Sequence, residues 1–149
     1  MISAHIRPEV SADFDQWRRL YQEYADFYQV ALSDGGVLTT GSWLIEPAHV
    51  CTRLVAEQPD GLVGLAHFCG MPSPLHGQMI GFLDDLFVTS VHRSNGTAAA
   101  LIAAVQAEAK AQGWGVLRWI THDNNYRARG LYDRLAQKTD WALYEMTVK

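Results

Sequence analysis

Two adjacent carboxylates, Asp84 and Asp85, stand in an apolar run that ends at Val88. The run is typical of a buried strand, and successive residues of a regular strand face opposite sides of the sheet. One carboxylate can therefore face a cleft, and both can do so only where a bulge redirects the chain. A carboxylate placed there can bind an alkylammonium ion, whose pKa is about 10.4, and accept its proton. Either carboxylate could instead pair with an arginine as a structural ion pair.

A short polar turn separates this strand from an alanine-rich helix. Arg93 lies just before the turn, and Asn95, Gly96 and Thr97 form the first turn of the helix. Backbone N–H groups at a helix N-terminus lack intrahelical partners, and the helix dipole is positive there. Glycine lets a ligand approach the backbone closely, and an arginine adds a fixed positive charge. The turn therefore predicts a site for a phosphate or pyrophosphate.

Composition limits the classes of protein to consider. With 149 residues the chain is long enough for one domain, which we predict to span residues 1–149. A hydrophobic fraction of 48% and a charged fraction of 19% are typical of a globular protein. The net charge of −4 gives no electrostatic basis for binding nucleic acid and suits a cationic substrate better.

No apolar run is long enough to cross a bilayer, and the first ten residues lack the apolar centre of a signal peptide. We therefore expect a cytoplasmic protein with no membrane partner. The histidines show no i, i+4 pairing, so no metal site is predicted. Cys51 and Cys69 fall on two strands predicted to be adjacent, and we expect buried thiols there, not a disulfide.

Periodicity and turn residues predict a single α/β domain with a mixed sheet. Strands are predicted at residues 2–7, 50–56, 62–69, 79–89, 115–121 and 141–148. Helices are predicted at residues 11–29, 96–111 and 125–137, with a short helix at 43–45 inside a loop of residues 33–47. A second loop is predicted at residues 70–78.

A second motif follows the predicted helix at 96–111. Asn125, Ala128 and Tyr132 have the spacing N-x-x-A-x-x-x-Y, and Arg93, Gly96 and Ala98 have the spacing R-x-x-G-x-A. Together the two motifs resemble those of the GNAT superfamily of N-acetyltransferases, and the resemblance covers nearly the whole chain. The run L-D-D-L-F-V at residues 83–88 is closest to the branch of diamine, polyamine, histone and D-amino-acid acetyltransferases. Two features depart from the family pattern: Ser94 stands where glycine is frequent, and no Lys-x-Gly follows Tyr132.

The resemblance implies a GNAT fold with a mostly antiparallel sheet flanked by helices, and acetyl-CoA as co-substrate without a metal. It also implies roles for residues of this chain. The pantetheine arm would lie along Leu86, Phe87 and Val88, and the pyrophosphate beside Arg93 on Ser94, Asn95, Gly96, Thr97, Ala98 and Ala99. The far side of the arm would be lined by Asn125, Ala128 and Arg129.

The same resemblance suggests the chemistry. Tyr132 would be the general acid that protonates the coenzyme A thiolate, since a phenol stays protonated at neutral pH. Asp84 is favoured as amine binder or base, with Asp85 as second choice. Tyr24 and Tyr28, one turn apart on the first helix, would border the acceptor cleft.

We therefore predict an N-acetyltransferase that acts on a primary amine of a small molecule, a polyamine or an amino acid, by direct attack in a ternary complex. The alternatives are a protein or histone lysine acetyltransferase and a non-catalytic acyl-CoA-binding module. The loops at residues 33–43 and 70–78 would wall the acceptor pocket and do not reveal the acceptor. A homodimer is expected, in which the apolar strand at 141–148 pairs across the interface.

Overall fold

The computed structural model describes residues 3–93 and 95–149. Ile2, the predicted start of the first strand, and Ser94, a predicted pyrophosphate contact, lie outside the described residues, as does Met1. Within the described residues, no helix is long and apolar enough to cross a membrane.

The chain forms a five-stranded open sheet in the order β1-β2-β3-β4-β5 with four helices, which confirms the predicted α/β fold class. All neighbouring strands are antiparallel except β4 and β5, which are parallel. The strands are β1 (His5–Pro8), β2 (Cys51–Gln58), β3 (Gly61–Ser73), β4 (Gln78–Val88) and β5 (Leu117–Trp119). The helices are α1 (Phe14–Phe27), α2 (Asp34–Ile45), α3 (Thr97–Gln112) and α4 (Tyr126–Leu135).

Each face of the sheet is covered by its own hydrophobic core. On one face α1 and α2 pack around the buried Trp17 and Leu44, against Leu65 of β3 and Phe87 of β4. On the other face α3 buries a row of side chains that includes Leu101 against Phe68 and Leu83, with α4 packed beside it. Alternation along β3 and β4 therefore assigns odd-numbered residues of the stretch 65–69 to the α1 face and even-numbered residues to the α3 face.

The predicted loop at residues 33–47 is wrong, because most of it is the helix α2. Three glycines and two threonines in this segment give a low helix propensity. The helix nevertheless begins with Ser33 as N-cap, whose hydroxyl accepts a hydrogen bond from Gly36 N at 3.0 Å. A Cβ at Gly41 would lie 2.6 Å from Cε2 of Phe14, so this glycine lets α2 lie close against α1. Tertiary packing thus outweighs local propensity here.

The predicted loop at residues 70–78 is also largely strand, because β3 continues to Ser73 and β4 begins at Gln78. Pro72 misled the prediction, since proline cannot donate to a ladder. Pairing of β3 with β2 ends at Cys69, so among the described residues β3 has no neighbouring strand on that side at Pro72, and a proline is tolerated at such an edge. Trp114 packs across the two strands here, and a Cβ at Gly70 would lie 2.5 Å from its Cζ2.

The predicted last strand at residues 141–148 does not form. Residues 137–149 are neither helix nor strand, and their large apolar side chains are exposed, with Tyr144 at 90%. A strand needs a neighbour to satisfy its backbone groups, and none of the described residues pairs with this segment. We call residues 137–149 the C-terminal tail.

Candidate active site

Both predicted carboxylates lie on the α1 face of the sheet, because β4 has a bulge at Asp84, between Leu83 and Asp85. His67 pairs with Asp85 and Phe68 pairs with Leu83, which leaves Asp84 without a partner on β3. The Asp85 carboxylate lies 2.8 Å from Nδ1 of His67, and the Asp84 carboxylate accepts from Sγ of Cys69 at 3.7 Å. Since His67 and Cys69 lie two residues apart on β3, the bulge brings two negative charges to one face.

Asp85 is the buried member of the pair and is held by several donors. Besides His67, the Tyr21 hydroxyl donates to its Oδ2 at 3.1 Å, and the Tyr24 hydroxyl also hydrogen-bonds the carboxylate. Burial acts to raise the pKa of Asp85, but the hydrogen bonds from His67, Tyr24 and Tyr21 outweigh it and hold the pKa below its usual value. Asp85 is therefore a fixed negative charge at neutral pH.

The imidazole of His67 has its tautomer set by its two neighbours. Nε1 of Trp17 donates to Nε2 of His67 at 3.0 Å, so Nε2 carries no proton. The proton is then on Nδ1, which donates to Asp85. Trp17 is 0% exposed and His67 only 2%, so water does not compete for these bonds.

Asp84 is the accessible member of the pair. Partial loss of hydration, and then the charge on Asp85, raises the pKa of Asp84 above its usual value. Cys51 and Cys69, which are paired across β2 and β3, lie beside it as free thiols. Burial, and then the charge on Asp84, raises the pKa of Cys51 to about 11, so this thiol is protonated at neutral pH. A carboxylate with a raised pKa is suited to accept a proton.

A line of aromatic side chains leads from the carboxylates toward α4. The rings of Tyr24 and Tyr28 lie 5.1 Å apart, and Tyr28 is 5.2 Å from the ring of His122. Nδ2 of Asn125 donates to the Tyr28 hydroxyl at 3.4 Å, so the N-cap residue of α4 contacts the end of α1. The two predicted cleft tyrosines thus connect the carboxylates with the second motif.

Tyr132 lies half-buried on α4, with its ring 5.5 Å from that of Trp119. Burial, and then the nearby Tyr28, raises the pKa of Tyr132 to about 12. The hydroxyl therefore carries its proton at neutral pH and can donate it to an anion. Tyr28, whose hydroxyl accepts from Asn125, lies near enough to affect the ionisation of Tyr132, so this donor is close to the end of the aromatic line.

The turn before α3 has the features of an anion site. Gly96 adopts a left-handed conformation with φ +87°, and a Cβ there would meet nothing within 4 Å, so the backbone is open. Oδ1 of Asn95 accepts from both N and Oγ1 of Thr97, at 3.2 and 2.7 Å. Asn95 therefore satisfies the Thr97 N–H itself, while the N–H groups of Ala98 and Ala99 have no intrahelical partner.

Arg93 is held in place between two aromatic rings. Its guanidinium carbon lies 5.0 Å from the ring centroid of Phe27 and 5.4 Å from that of Phe87. Its Nε donates to the carbonyl of Val88 at 3.0 Å. The positive charge is thus fixed at the end of β4, next to the turn that precedes α3.

The parallel pair β4 and β5 separates beyond Leu83, which pairs with Trp119. From residue 84 to Val88, the edge of β4 that faces β5 has no strand beside it among the described residues. Leu86 and Phe87 lie on this part of β4, and Ala128 of α4 is half-buried. On α4, Arg129 donates to the Asp123 carbonyl at 2.5 Å. An extended arm with an anionic end would fit the free strand edge and the open helix N-terminus.

Sequence reasoning predicted the carboxylates, the turn before α3 and Tyr132 as site residues, and it did not include Trp17, Tyr21 and His67, which the structure places beside Asp85 or its partner. Tyr21 could have been found, since it lies one turn before Tyr24 on the same helix face. His67 was a polar residue inside an otherwise apolar strand, which is also a signal. Its contact with Asp85 depends on strand register, which no local pattern gives. In the described part of the chain, no group of His, Cys, Asp and Glu side chains could hold a metal ion.

Known proteins resemble this chain along most of its length. The model of the acetyltransferase (GNAT) family matches residues 17–136. The D-amino-acid N-acetyltransferase of Saccharomyces cerevisiae is 29% identical over 135 residues, which cover 89% of this chain and 84% of the yeast protein.

Two solved structures share the fold. A ribosomal-protein-alanine N-acetyltransferase from Brucella melitensis biovar Abortus 2308 has a TM-score of 0.78 and 24% identity, covering 98% of this chain and 100% of that one. The aminoglycoside N-acetyltransferase AAC(6')-Iy in complex with CoA has a TM-score of 0.82 and 20% identity, covering 98% and 97%. On the extent of the family match, the chain belongs to the acetyltransferase (GNAT) family and is an acetyl-CoA-dependent N-acetyltransferase.

Proposed function

We propose that this enzyme transfers the acetyl group of acetyl-CoA to a primary amine of a small molecule, an amino acid or a polyamine. The observation that carries the proposal is the pair of carboxylates on one face of the sheet, at the point where β4 and β5 separate. Two negative charges beside Tyr21 favour an acceptor that arrives as an ammonium ion. The D-amino-acid acetyltransferase among the relatives supports an amino-acid amine.

In this proposal the two carboxylates have different roles. Asp85, held ionised by its three donors, attracts the ammonium group. Asp84, which is accessible and has a raised pKa, accepts the proton directly or through a water molecule. The nitrogen is then neutral and can form a bond to the carbonyl carbon of the thioester as the carbon–sulfur bond breaks. Tyr132 donates a hydrogen bond to the sulfur and supplies its proton. The second proton, which the nitrogen loses as the amide forms, passes through water to the Tyr132 oxygen and restores its hydroxyl.

Acetyl-CoA supplies the activated acetyl group, and the chain offers a matching surface for it. The free edge of β4 at Leu86, Phe87 and Val88 would hold the pantetheine arm as an added strand, with a backbone N–H toward the thioester oxygen. Arg93 and the turn from Asn95 to Ala99 would bind the pyrophosphate. Asn125, Ala128 and Arg129 would line the opposite wall. A direct transfer in a ternary complex follows, since both substrates reach the same gap.

The test is thiol release from acetyl-CoA with a panel of amines: spermidine, putrescine, lysine, D-amino acids, an aminoglycoside and a histone-tail peptide. Turnover with amino acids or polyamines is expected, and Asp84→Asn should abolish most of it. Asp60→Asn, at an exposed turn, is the matched control and should leave turnover unchanged. Turnover with the peptide alone would contradict the small-molecule proposal and indicate a lysine acetyltransferase. Coenzyme binding without transfer to any amine would contradict it too.

We also propose that the enzyme is a homodimer in which the C-terminal tail of each copy pairs with the other. The apolar side chains of Trp141, Leu143, Tyr144, Met146 and Val148 are exposed, and the outer edge of β5 has no neighbouring strand among the described residues. Such an exposed strand-forming segment and an open edge suit each other. Light scattering should show a dimer, Tyr144→Asp should weaken it, and Lys149→Ser should not. A monomer at working concentration would refute the proposal.

A further inference from the structure

We propose that His67 is a positioning residue of the acetyl transfer, which holds the Asp85 carboxylate ionised and aimed at the acceptor's ammonium group. This inference rests on the proposed function of Asp85 as the fixed negative charge of the acceptor site. His67 does not itself touch either substrate in this proposal. It acts through a chain of hydrogen bonds from Trp17 to His67 to Asp85.

The geometry of that chain assigns each proton. Nε1–H of Trp17 can only donate, so the lone pair on Nε2 of His67 must accept it at 3.0 Å. The remaining ring proton then lies on Nδ1, 2.8 Å from Oδ2 of Asp85. The indole therefore fixes both the tautomer and the orientation of the ring.

The structure also shows why Asp85 needs this support. Asp85 is largely buried, and burial by itself would favour the protonated, neutral carboxyl. The groups that face it are His67 from β3, the hydroxyls of Tyr21 and Tyr24 from α1, and Asp84 from β4. Cys51 of β2 also lies within electrostatic range.

None of these groups is a cation when His67 is neutral. In that state the charge on Asp85 is maintained by hydrogen bonds, and the one from His67, at 2.8 Å, is shorter than the one from Tyr21, at 3.1 Å. Without that donor Asp85 takes up a proton at a higher pH, and the acceptor site loses one of its two charges.

The first test compares two substitutions at His67. The amide of His67→Asn can still donate to Asp85, whereas His67→Leu cannot. We expect kcat/KM of the leucine variant to fall several-fold relative to the wild type at a pH near 5 and to approach the wild-type value as the pH rises, because Asp85 then ionises. The ratio to wild type is used because the ionisation of the acceptor amine cancels in it. His67→Asn should recover most of the lost activity, and His5→Asn, on the exposed edge strand, is the control.

A loss of activity that is independent of pH would overturn the proposal, since it would reflect only altered packing. Equal losses in the asparagine and leucine variants would do the same. Because Leu at a buried position can impair folding, Tyr21→Phe provides a second variant: it removes another donor to the same oxygen and keeps the ring. For Tyr21→Phe we expect the same pH-dependent loss of kcat/KM, of smaller size. A ratio of its kcat/KM to the wild-type value that does not vary with pH would contradict the inference.

A measurement without substrate separates this inference from the proposed function. The infrared C=O stretch of a protonated carboxyl group can be followed as the pH is lowered. His67→Leu should show this band at a pH where the wild type has none, and adding Asp85→Asn should remove it. If the band is absent, the positioning role is refuted whether or not any amine is acetylated. If the band appears but no amine turns over, only the proposed function fails.

Discussion

The glutamate at position 9 should destabilise the folded protein at neutral pH, and Glu9→Gln should remove that effect. Glu9 is 3% exposed, and within the described residues its Oε1 has no hydrogen-bond partner. The nearby Arg7 is already engaged, since it binds Asp13 through two bonds of 2.8 Å and also Glu57. Burial, and then the charge on Asp13, raises the pKa of Glu9 from 4.5 to about 7.

The sign of the effect follows from proton binding. Between about pH 4.5 and 7 the folded protein keeps the Glu9 proton while the unfolded chain has lost it, so the folded state binds more protons. The free energy of unfolding therefore falls as the pH rises through this window. One pKa unit corresponds to about 1.36 kcal/mol, so the loss between about pH 5 and pH 8 is roughly 2 to 3 kcal/mol.

Urea unfolding of the wild type and Glu9→Gln, followed by tryptophan fluorescence at both pH values, measures this difference. Between about pH 5 and pH 8, the free energy of unfolding of the variant should rise by roughly 2 to 3 kcal/mol relative to that of the wild type. Contributions from other titrating groups are common to both proteins and cancel. Glu145→Gln, in the exposed tail, is the control and should show no such gain. Parallel stability curves for Glu9→Gln and wild type would refute the reasoning.

Three further results are expected at the site and in the sheet. Tyr132→Phe should lower kcat about 100-fold because the sulfur loses its proton donor, while calorimetry shows unchanged acetyl-CoA affinity; normal turnover would exclude the acid role. Arg93→Gln should weaken acetyl-CoA binding about tenfold in the same titration, since a fixed charge at the end of β4 is lost, and an unchanged Kd would place the pyrophosphate elsewhere. Gly70→Ala should cost about 1 to 3 kcal/mol in urea unfolding, because its Cβ would meet Trp114 at 2.5 Å; a neutral result would mean that the indole moves freely.

Local sequence signals predicted those parts of the fold that local interactions determine. The helix α3 was predicted from Asn95, Gly96 and the alanines. In the structure it begins and ends one residue later than predicted. The helix α2 was missed because its three glycines lower its helix propensity, and the packing of Gly41 against Phe14 and Trp17 of α1 cannot be read from the local sequence. The segment around Pro72 was predicted to be a loop. The sequence does not reveal that β2 ends before this point and that β3 can therefore accommodate a proline there.

The candidate site shows the same division. The types and spacing of Asp84, Asp85 and Tyr132, together with the family resemblance, suggested the chemistry. The bulge that turns both carboxylates to one face was named only as a condition, since a bulge depends on how β3 and β4 pair. His67 lies 18 residues before Asp85, so their contact follows from register and not from any periodicity along the chain.

The bulge in β4 places the accessible carboxylate, Asp84, on a residue that has no pairing partner on β3. Leu83 pairs with Phe68 and Asp85 with His67, and those two partners are neighbours on β3. Without Asp84 the two strands would match residue for residue, with Leu83 still toward α3 and Asp85 still toward α1. Asp84 is thus an inserted residue on an otherwise regular strand, and neither core depends on it. A protein that gained or lost this one residue would keep its architecture and change only its accessible carboxylate.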